Sequence, residues 1–225
     1  MADTFLGILA IITGYLIGSF PSAFVITRLA TGKDIRTIGT GHTGRGNVGT
    51  RNVFVNVGKI PGIIVAIIDV GKGTASVALA HWILNTVTNM DPKALFLFIL
   101  GAGIAAVIGH IWPIYLRFKG GAGLATTIGV LAFLMLRDVA IAFSFAVIFI
   151  FMTKNVILSA NLSVILIPFL LWWNREPWYV IIYPILLIII MFIHYLPNII
   201  AEYRKAGSLK NLLAGLLLRN RAKAR

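Results

Sequence analysis

Residues 94–116 have the sequence ALFLFILGAGIAAVIGHIWPIYL, an apolar run that contains no Asp, Glu, Lys or Arg. A membrane-spanning helix needs about 20 such residues, because the hydrocarbon core of a bilayer is roughly 30 Å thick. Comparable apolar runs occupy about 5–27, 61–84, 124–136, 139–153, 156–173 and 178–200. The pattern therefore predicts an all-α, polytopic transmembrane bundle, which we expect to form a single domain over residues 1–225.

The composition of the whole chain agrees with a membrane protein. Of its 225 residues, 59% are hydrophobic and 12% are charged, and the mean hydropathy is +0.93. This leaves too little polar surface to cover a water-soluble globule. Cysteine is absent, so a disulfide-stabilised secreted scaffold is excluded. The four histidines are isolated and no two carboxylates share a short segment, so we expect neither a metal site nor a cofactor.

The number of spans depends on residues 124–153. Only Arg137 and Asp138 separate two short apolar runs there, so one long bent helix is the alternative to two helices. With seven spans, 16 of the 20 Lys and Arg residues lie on one side of the membrane; with six, each side has 9 and Arg137 lies in hydrocarbon. Because basic residues accumulate in cytoplasmic loops, we predict seven spans, an external N-terminus, a cytoplasmic C-terminus and a basic amphipathic tail at 201–225.

The net charge of +13 has two interpretations. In a soluble protein it would suggest nucleic acid as a partner, but here the basic residues lie between apolar runs rather than along one exposed helix or groove. Anionic lipid headgroups attract basic residues that flank membrane spans. We therefore expect membrane lipids, and no nucleic acid, among the partners.

Two glycine-rich loops, both predicted to face the cytoplasm, are the candidate binding sites. Residues 39–49 read GTGHTGRGNVG, and residues 117–123 read RFKGGAG directly before a helix that starts at Leu124. Glycines let backbone N–H groups approach an anion, and the positive end of a helix dipole adds attraction. A phosphate suits both loops, although a flexible connection is the alternative for the first loop.

Five polar residues interrupt the apolar runs. Asp69 and Lys72 lie at positions i and i+3 of the second run, where an unpaired charge is costly, so we predict a structural ion pair. His110 lies near the end of the third run, where it either reaches the glycine loop or serves as a hydrogen-bonded structural histidine. His194 and Asn198 lie at i and i+4 near the end of the last run, where they either present polar groups to the site or mark the helix end.

Several segments resemble the bacterial acyl-phosphate-dependent glycerol-3-phosphate acyltransferases, a seven-span membrane family. The segment from Gly109-His110-Ile111-Trp112-Pro113 to Phe118-Lys119-Gly120-Gly121-Ala122-Gly123-Leu124-Ala125-Thr126 is similar to the family's second motif. Other segments resemble its first-motif region in order: Gly18-Ser19-Phe20-Pro21, Asp34-Ile35-Arg36, Gly46-Asn47-Val48-Gly49 with Asn52, Gly58-Lys59, and Asp69 with Lys72-Gly73. Together they cover most of residues 14–200.

The resemblance implies a multi-pass protein of the bacterial cytoplasmic membrane that transfers a fatty acyl group from acyl phosphate to the 1-hydroxyl of glycerol 3-phosphate. The products are lysophosphatidate, for phospholipid biosynthesis, and phosphate. It implies catalytic roles for His110, His194 and Asn198. It also implies a set of substrate- and phosphate-binding residues, namely Arg36, Thr40, Arg45, Gly46, Asn47, Arg51, Asn52, Lys119, Gly120, Gly121, Gly123 and Thr126.

The first two motifs depart from the family pattern. Ala122 stands where the family has the second lysine of Lys-Gly-Gly-Lys-Gly, and Val55 stands where it has an arginine. The residue in place of the first motif's serine is either Thr40 or Arg45, because the loop is longer here.

The third motif departs as well. His194 and Asn198 are four residues apart rather than three, and no glutamate follows Gly207. Two other functions therefore stay open. One is a catalytically altered family member that binds a phosphorylated lipid or solute; the other is a transporter, against which the lack of inverted repeats argues.

Overall fold

The computed structural model describes residues 2–38 and 47–208. Within these ranges the chain is helical and contains no strand, which confirms the all-α prediction for them. Two 3-10 helices lie at Ile35–Thr37 and Ile114–Leu116. The α-helices are α1 (Ala2–Gly18), α2 (Ser22–Thr31), α3 (Thr50–Asn56), α4 (Lys59–Val87), α5 (Pro92–Ile111), α6 (Leu124–Leu134), α7 (Leu136–Thr153), α8 (Val156–Trp173) and α9 (Trp178–Ala206).

Five helical segments in the described ranges are long and apolar enough to cross a membrane. They are Ala2–Thr31, Lys59–Val87, Pro92–Leu116, Leu136–Thr153 and Trp178–Ala206. Two further apolar helical segments, α6 and residues Leu158–Trp173 of α8, are shorter. The apolar runs of the sequence thus correspond to helices, and the crossing of all seven stays a prediction.

The first apolar run differs from the prediction. The run at 5–27 contains two helices instead of one, because α1 ends at Gly18 and α2 starts at Ser22. Pro21, directly before α2, has no N–H to donate to the preceding turn, and its ring clashes with a continued helix. Ser19 and Phe20 therefore lie outside both helices, within an otherwise apolar segment.

Of two other boundaries, one agrees with the prediction and one differs. Residues 124–153 contain two helices, as predicted, rather than one long bent helix, because the chain leaves helical geometry at Met135, with φ −145° and ψ 56°. Helix α9 continues through Pro197 to Ala206, beyond the predicted end at residue 200. Most of the predicted basic tail, residues 209–225, lies outside the described residues.

The chain divides into two compact units, Met1–Leu136 and Arg137–Arg225, where the sequence predicts one domain. In the second unit α8 packs against α9, and Leu171, Tyr183 and Leu187 are buried. The first unit contains α1 to α6. The two candidate glycine loops belong to this first unit.

Helices in the first unit approach one another at glycines. A Cβ on Gly18 of α1 would lie 2.6 Å from the Cα of Ala106 on α5, and a Cβ on Gly73 of α4 would lie 3.1 Å from the backbone nitrogen of Val130 on α6. Real Cβ atoms need more room, so these contacts require glycine. They bring α1 against α5 and α4 against α6, backbone to backbone.

A buried apolar cluster holds the loops of the first unit. Its members come from α2, α3, α4, both 3-10 helices and the short segment before α3. They are Ala23, Ile35, Val48, Val53, Val65 and Leu116. Burying one such large apolar side chain favours folding by roughly 1.5–3 kcal/mol. The cluster therefore fixes residues 35–38 and 47–53 beside residues 114–116.

Candidate functional site

The polar network of the first unit is centred on Asp69, in the middle of α4 and only 1% exposed. Lys72 Nζ lies 2.9 Å from Asp69 Oδ1, so the structure contains the ion pair that the spacing predicts. Ser22 Oγ, at the start of α2, donates a hydrogen bond to the same oxygen at 2.6 Å. His110 Nδ1, near the end of α5, lies 3.5 Å from it and has no hydrogen-bond partner among the described residues. One carboxylate thus joins α2 to α4 and lies beside the end of α5.

Lys72 extends the network to the break between α1 and α2. Its Nζ donates to the carbonyl oxygen of Phe20 at 3.1 Å. One turn later on α4, Ser76 Oγ donates to the Lys72 carbonyl oxygen at 2.8 Å and lies 3.4 Å from that of Gly14. A buried charge without a partner costs several kcal/mol, and here both charges are paired. The ion pair therefore ties the broken first segment to α4.

The loop after α5 turns back onto His110. The N–H of Gly120 donates to the Ile111 carbonyl oxygen and the N–H of Gly121 donates to that of His110, both at 3.1 Å. A Cβ on Gly121 would lie 3.0 Å from Cε1 of the His110 ring, and one on Gly120 would lie 2.5 Å from Cδ of Pro113. The sequence predicts that these two N–H groups bind phosphate. In the structure the turn uses both groups and needs glycine for space, and a phosphate contact at Gly120 and Gly121 stays a prediction.

Residue 48, near the end of the first glycine-rich stretch, contacts this turn. The N–H of Val48 donates to the Gly120 carbonyl oxygen at 3.4 Å. Two residues further on, Thr50 Oγ1 lies 3.5 Å from Asp69 Oδ2. The start of α3 therefore contacts both the glycine turn and the buried carboxylate.

Asn52, a predicted binding residue, is fully buried. Its Nδ2 donates to the Asn47 carbonyl oxygen at 2.8 Å and lies 3.3 Å from the carbonyl oxygens of Ile35 and Ile38. Its Oδ1 accepts from Asn56 Nδ2 at 2.7 Å. The Asn52 amide thus joins the loop segments, and its predicted binding role stays a prediction.

A small pocket, partly open to the surface, lies beside the network. Ser19 Oγ is buried and has no hydrogen-bond partner among the residues that the structure describes. It shares the pocket wall with the polar side chains of Lys72 and His110, which suits a small polar or charged group. The lining residues are Ser19, Phe20, Pro21, Ser22, Val48, Lys72, His110, Pro113, Leu116 and Gly120.

The start of α6 is the part of the second loop that suits an anion. Gly123 has φ 88°, a left-handed conformation that favours glycine, and it has no side chain to cap the helix. The first N–H groups of a helix and the positive end of its dipole attract negative charge. Lys119 is exposed in the same loop, whereas Thr126 is buried in the first turn of α6. Gly123 and Lys119 are therefore the candidates for a phosphate contact here.

The predicted phosphate ligand Arg36 already has a partner. Its Nη2 and Nε donate to Asp34 Oδ2 at 2.6 and 3.0 Å, and its guanidinium lies 5.4 Å from the centre of the Phe24 ring. The hydrogen bond from Arg36 holds the pKa of Asp34 below its ordinary value. Arg51 is exposed on α3. Three other predicted ligands lie outside the described residues, namely Thr40, Arg45 and Gly46.

Comparison with known proteins identifies the family to which the chain belongs. The profile of the glycerol-3-phosphate acyltransferase family matches residues 8–205. The chain belongs to this family. It is 35% identical over 201 residues to glycerol-3-phosphate acyltransferase 2 of Dehalococcoides mccartyi (strain ATCC BAA-2266 / KCTC 15142 / 195), with 89% of each chain covered. It is 36% identical over 190 residues to the glycerol-3-phosphate acyltransferase of Bacillus velezensis, with 83% of this chain and 89% of the relative covered.

Two solved structures show the same fold. The crystal structure of PlsY (YgiH), an integral membrane glycerol 3-phosphate acyltransferase, in its glycerol 3-phosphate form matches with a TM-score of 0.71 and 26% identity over 86% of this chain and 90% of that one. The lysophosphatidic acid form gives 0.69 and 25% over 86% and 89%. The resemblance stated from the motifs is confirmed, and this acyltransferase family member is an integral membrane protein.

The third predicted motif of the acyltransferase lies in the second unit. His194, on α9, is half-buried and its ring lies 5.9 Å from that of Tyr195. Asn198 is exposed one turn later on the same helix. Residues at i and i+4 lie on one helix face. The catalytic roles of His194 and Asn198 stay predictions.

Sequence reasoning did not assign four residues to the acyltransferase's site, namely Ser19, Phe20, Ser22 and Thr50, although Ser19 and Phe20 lie in a segment that resembles the first-motif region. A proline within an apolar run indicates a helix break, so the sequence carried a signal for Ser19 and Phe20. No local spacing links Ser22 to Asp69, because 47 positions separate them. That contact becomes visible only when α2 and α4 pack together.

Proposed function

We propose that this family member transfers a fatty acyl group from acyl phosphate to the 1-hydroxyl of glycerol 3-phosphate, giving lysophosphatidate and phosphate for phospholipid biosynthesis. Membership of the glycerol-3-phosphate acyltransferase family over residues 8–205 supports the acceptor. The observation that carries the proposal is the meeting of Val48 with Gly120 at the polar pocket. This contact supports a single site to which residues of both glycine-rich stretches belong.

The chemistry requires no covalent enzyme intermediate. The 1-hydroxyl oxygen of glycerol 3-phosphate forms a bond to the acyl carbonyl carbon, and the bond from that carbon to the phosphate oxygen breaks. The hydroxyl proton leaves with the phosphate. Because phosphate is a good leaving group, orientation of the two substrates and neutralisation of their charges supply the catalysis. Lys119 and the start of α6 offer the positive charge.

The proposed setting is the bacterial cytoplasmic membrane, with seven spans and the motif loops in the cytoplasm. The uneven distribution of Lys and Arg supports this orientation. Single cysteines at Thr43, Ala122 and Ser208 test it in intact cells with an impermeant thiol reagent. We expect no labelling until the membrane is opened, and labelling of any of them from outside contradicts the orientation.

A donor assay tests the reaction. Purified protein receives glycerol 3-phosphate with either acyl phosphate or acyl-coenzyme A, and lysophosphatidate is measured. We expect turnover with acyl phosphate and without coenzyme A. Activity with acyl-coenzyme A alone reverses the choice of donor. If the protein binds glycerol 3-phosphate but is inactive with both donors, the alternative function is favoured. In that case the protein is a catalytically altered family member that binds a ligand, as the departure at Ala122 suggests.

A further inference from the structure

The network around Asp69 connects backbone segments that surround the pocket. Ser22 in α2, Thr50 in α3 and His110 in α5 lie 2.6, 3.5 and 3.5 Å from its carboxylate oxygens. These residues belong to three helices, and each contact ends on one side chain of α4. The position of that carboxylate therefore affects the spacing of all three helices.

Two neighbours of the carboxylate continue into the pocket wall. Lys72, which pairs with Asp69, donates from Nζ to the Phe20 carbonyl oxygen at 3.1 Å. The His110 ring lies between Asp69 and the glycine turn, because its Nδ1 is 3.5 Å from Asp69 Oδ1 and a Cβ on Gly121 would lie 3.0 Å from its Cε1. In that turn the Gly120 carbonyl oxygen accepts from the N–H of Val48 at 3.4 Å. Phe20, Val48 and Gly120 all line the pocket, and Asp69 does not.

Stability alone does not require an ion pair at this place. Removal of two charges from water costs several kcal/mol, so an apolar pair of similar volume often gives equal or greater stability. An ion pair with directed hydrogen bonds does fix the orientation of its neighbours, whereas apolar packing is less directional. The arrangement of Asp69 and Lys72 thus suits a positioning role.

We propose that Asp69 is a positioning residue of the acyl-transfer site, which acts through Lys72 and His110 to hold the Phe20 carbonyl and the Gly120 turn at the spacing the substrates need. This inference rests on the proposed function. Displacement of a reacting group by about 1 Å costs roughly 100-fold in rate. A small shift of the pocket wall is therefore sufficient to reduce activity.

The first test is the double variant Asp69→Asn/Lys72→Met, which removes both charges so that neither stays buried and unpaired. We expect helix content and unfolding temperature in detergent close to wild type. We expect kcat/KM for glycerol 3-phosphate to fall about 10- to 100-fold, with a higher KM and a weaker calorimetric affinity for glycerol 3-phosphate. The matched control is Asp138→Asn, a buried carboxylate of the second unit that accepts from Asn174 at 2.8 Å. Its kcat/KM should stay within about threefold of wild type.

A second variant keeps the test decisive if the double variant does not fold. Ser22→Ala retains both charges and removes the 2.6 Å hydrogen bond to Asp69. We expect kcat/KM to fall about 3- to 10-fold at unchanged unfolding temperature. Its control is Ser163→Ala, which removes a buried hydroxyl of α8 that donates to the Ser159 carbonyl oxygen at 2.8 Å and should retain wild-type kcat/KM.

The outcomes separate the two proposals. If the double variant folds and keeps wild-type kcat/KM and affinity, the positioning role is wrong and the ion pair is only structural. If the double variant does not fold, wild-type kcat/KM in Ser22→Ala leads to the same conclusion. If the wild-type protein binds glycerol 3-phosphate but does not use acyl phosphate, the proposed reaction fails, and the calorimetric comparison still decides the role of Asp69. If the wild-type protein neither binds nor turns over glycerol 3-phosphate, both proposals are wrong.

Discussion

The two units of the molecule differ most in their use of glycine. Of the 22 glycines, 20 precede residue 137. In the first unit several of them lie at helix contacts where a Cβ has no room, as at Gly18 and Gly73. In the described part of the second unit the one glycine is Gly207, which ends α9 in a left-handed conformation with open space around it. The first unit thus packs backbone against backbone, and the second packs through side chains.

The units also place their buried carboxylates differently. Asp69 lies in the middle of α4 and contacts other helices, whereas Asp138 lies near the start of α7 and pairs with Asn174, directly after α8. A mid-helix charge must be matched by groups from neighbouring helices, and this matching fixes their positions. A charge near a helix start also interacts favourably with the helix dipole. The buried carboxylate of the first unit therefore links several helices, whereas that of the second unit pairs with a single residue after α8.

The largest expected effect is at Gly73 of α4. Gly73→Ala introduces a Cβ against the backbone of Thr126 and Val130 on α6, which cannot move as a flexible side chain would. Overpacking costs about 1–3 kcal/mol and more against rigid neighbours, so we expect a large loss of folded protein. Size-exclusion chromatography and thermal unfolding in detergent measure it.

Gly71 provides the matched control, two residues earlier on the same helix. A Cβ there meets nothing within 4 Å, so Gly71→Ala should be neutral or stabilise by up to about 1 kcal/mol. If the two substitutions have equal effects, close backbone contact at glycines is not what distinguishes the packing of the first unit from that of the second.

The next effect concerns charge in the second glycine loop. Lys119→Ala removes an exposed cation beside the start of α6, and Ala122→Lys restores the lysine that the family pattern has there. A contact to a charged group contributes about 1.5–3 kcal/mol, or roughly 10- to 150-fold. We expect kcat/KM for glycerol 3-phosphate to fall by this factor in Lys119→Ala and to rise in Ala122→Lys. Unchanged activity in Lys119→Ala would show that this loop does not bind phosphate.

Arg51 decides whether the missing lysine has been replaced. It is exposed on α3, and a cation already in place would repel a lysine added at position 122. In that case Ala122→Lys alone gives no gain, but it restores part of the activity that Arg51→Ala loses. No rescue in the double variant means that Arg51 is not a substitute for the lost lysine.

A smaller effect is expected in the second unit. Asn174→Ala removes the hydrogen bond to Asp138, which is worth about 1 kcal/mol because Asn174 itself is exposed. The unfolding temperature should fall by a few degrees, while kcat/KM stays at the wild-type value. A loss of activity comparable to that of Lys119→Ala would contradict the separation of roles between the units.

The sequence predicted local features well and contacts between helices poorly. The run at 156–173 matches α8 to the residue, because length and hydropathy alone determine an apolar helix. The pairing of Asp69 with Lys72 also follows from spacing on one helix. The contact of Asp69 with Ser22 could not be predicted, since it depends on how α2 packs against α4. The resemblance implied that Arg36 binds phosphate, and this role stays a prediction. The structure adds its ion pair with Asp34, which the spacing of two residues could have indicated.

The smallest effect compares an exposed ion pair with the buried one. Asp34→Asn retains the hydrogen bond from the backbone N–H of Arg36 to the side-chain oxygen and removes the charge. Because Arg36 lowers the pKa of Asp34, this carboxylate stabilises the fold above its unfolded pKa of about 3.9, and the stabilisation is lost as the pH falls through the lower folded value. An exposed pair contributes only about 0.2–1 kcal/mol. The unfolding temperature of Asp34→Asn should therefore lie slightly below that of wild type at pH 7, and the difference should shrink below about pH 4. A difference that is independent of pH would mean that the Arg36–Asp34 charge interaction adds nothing measurable to stability.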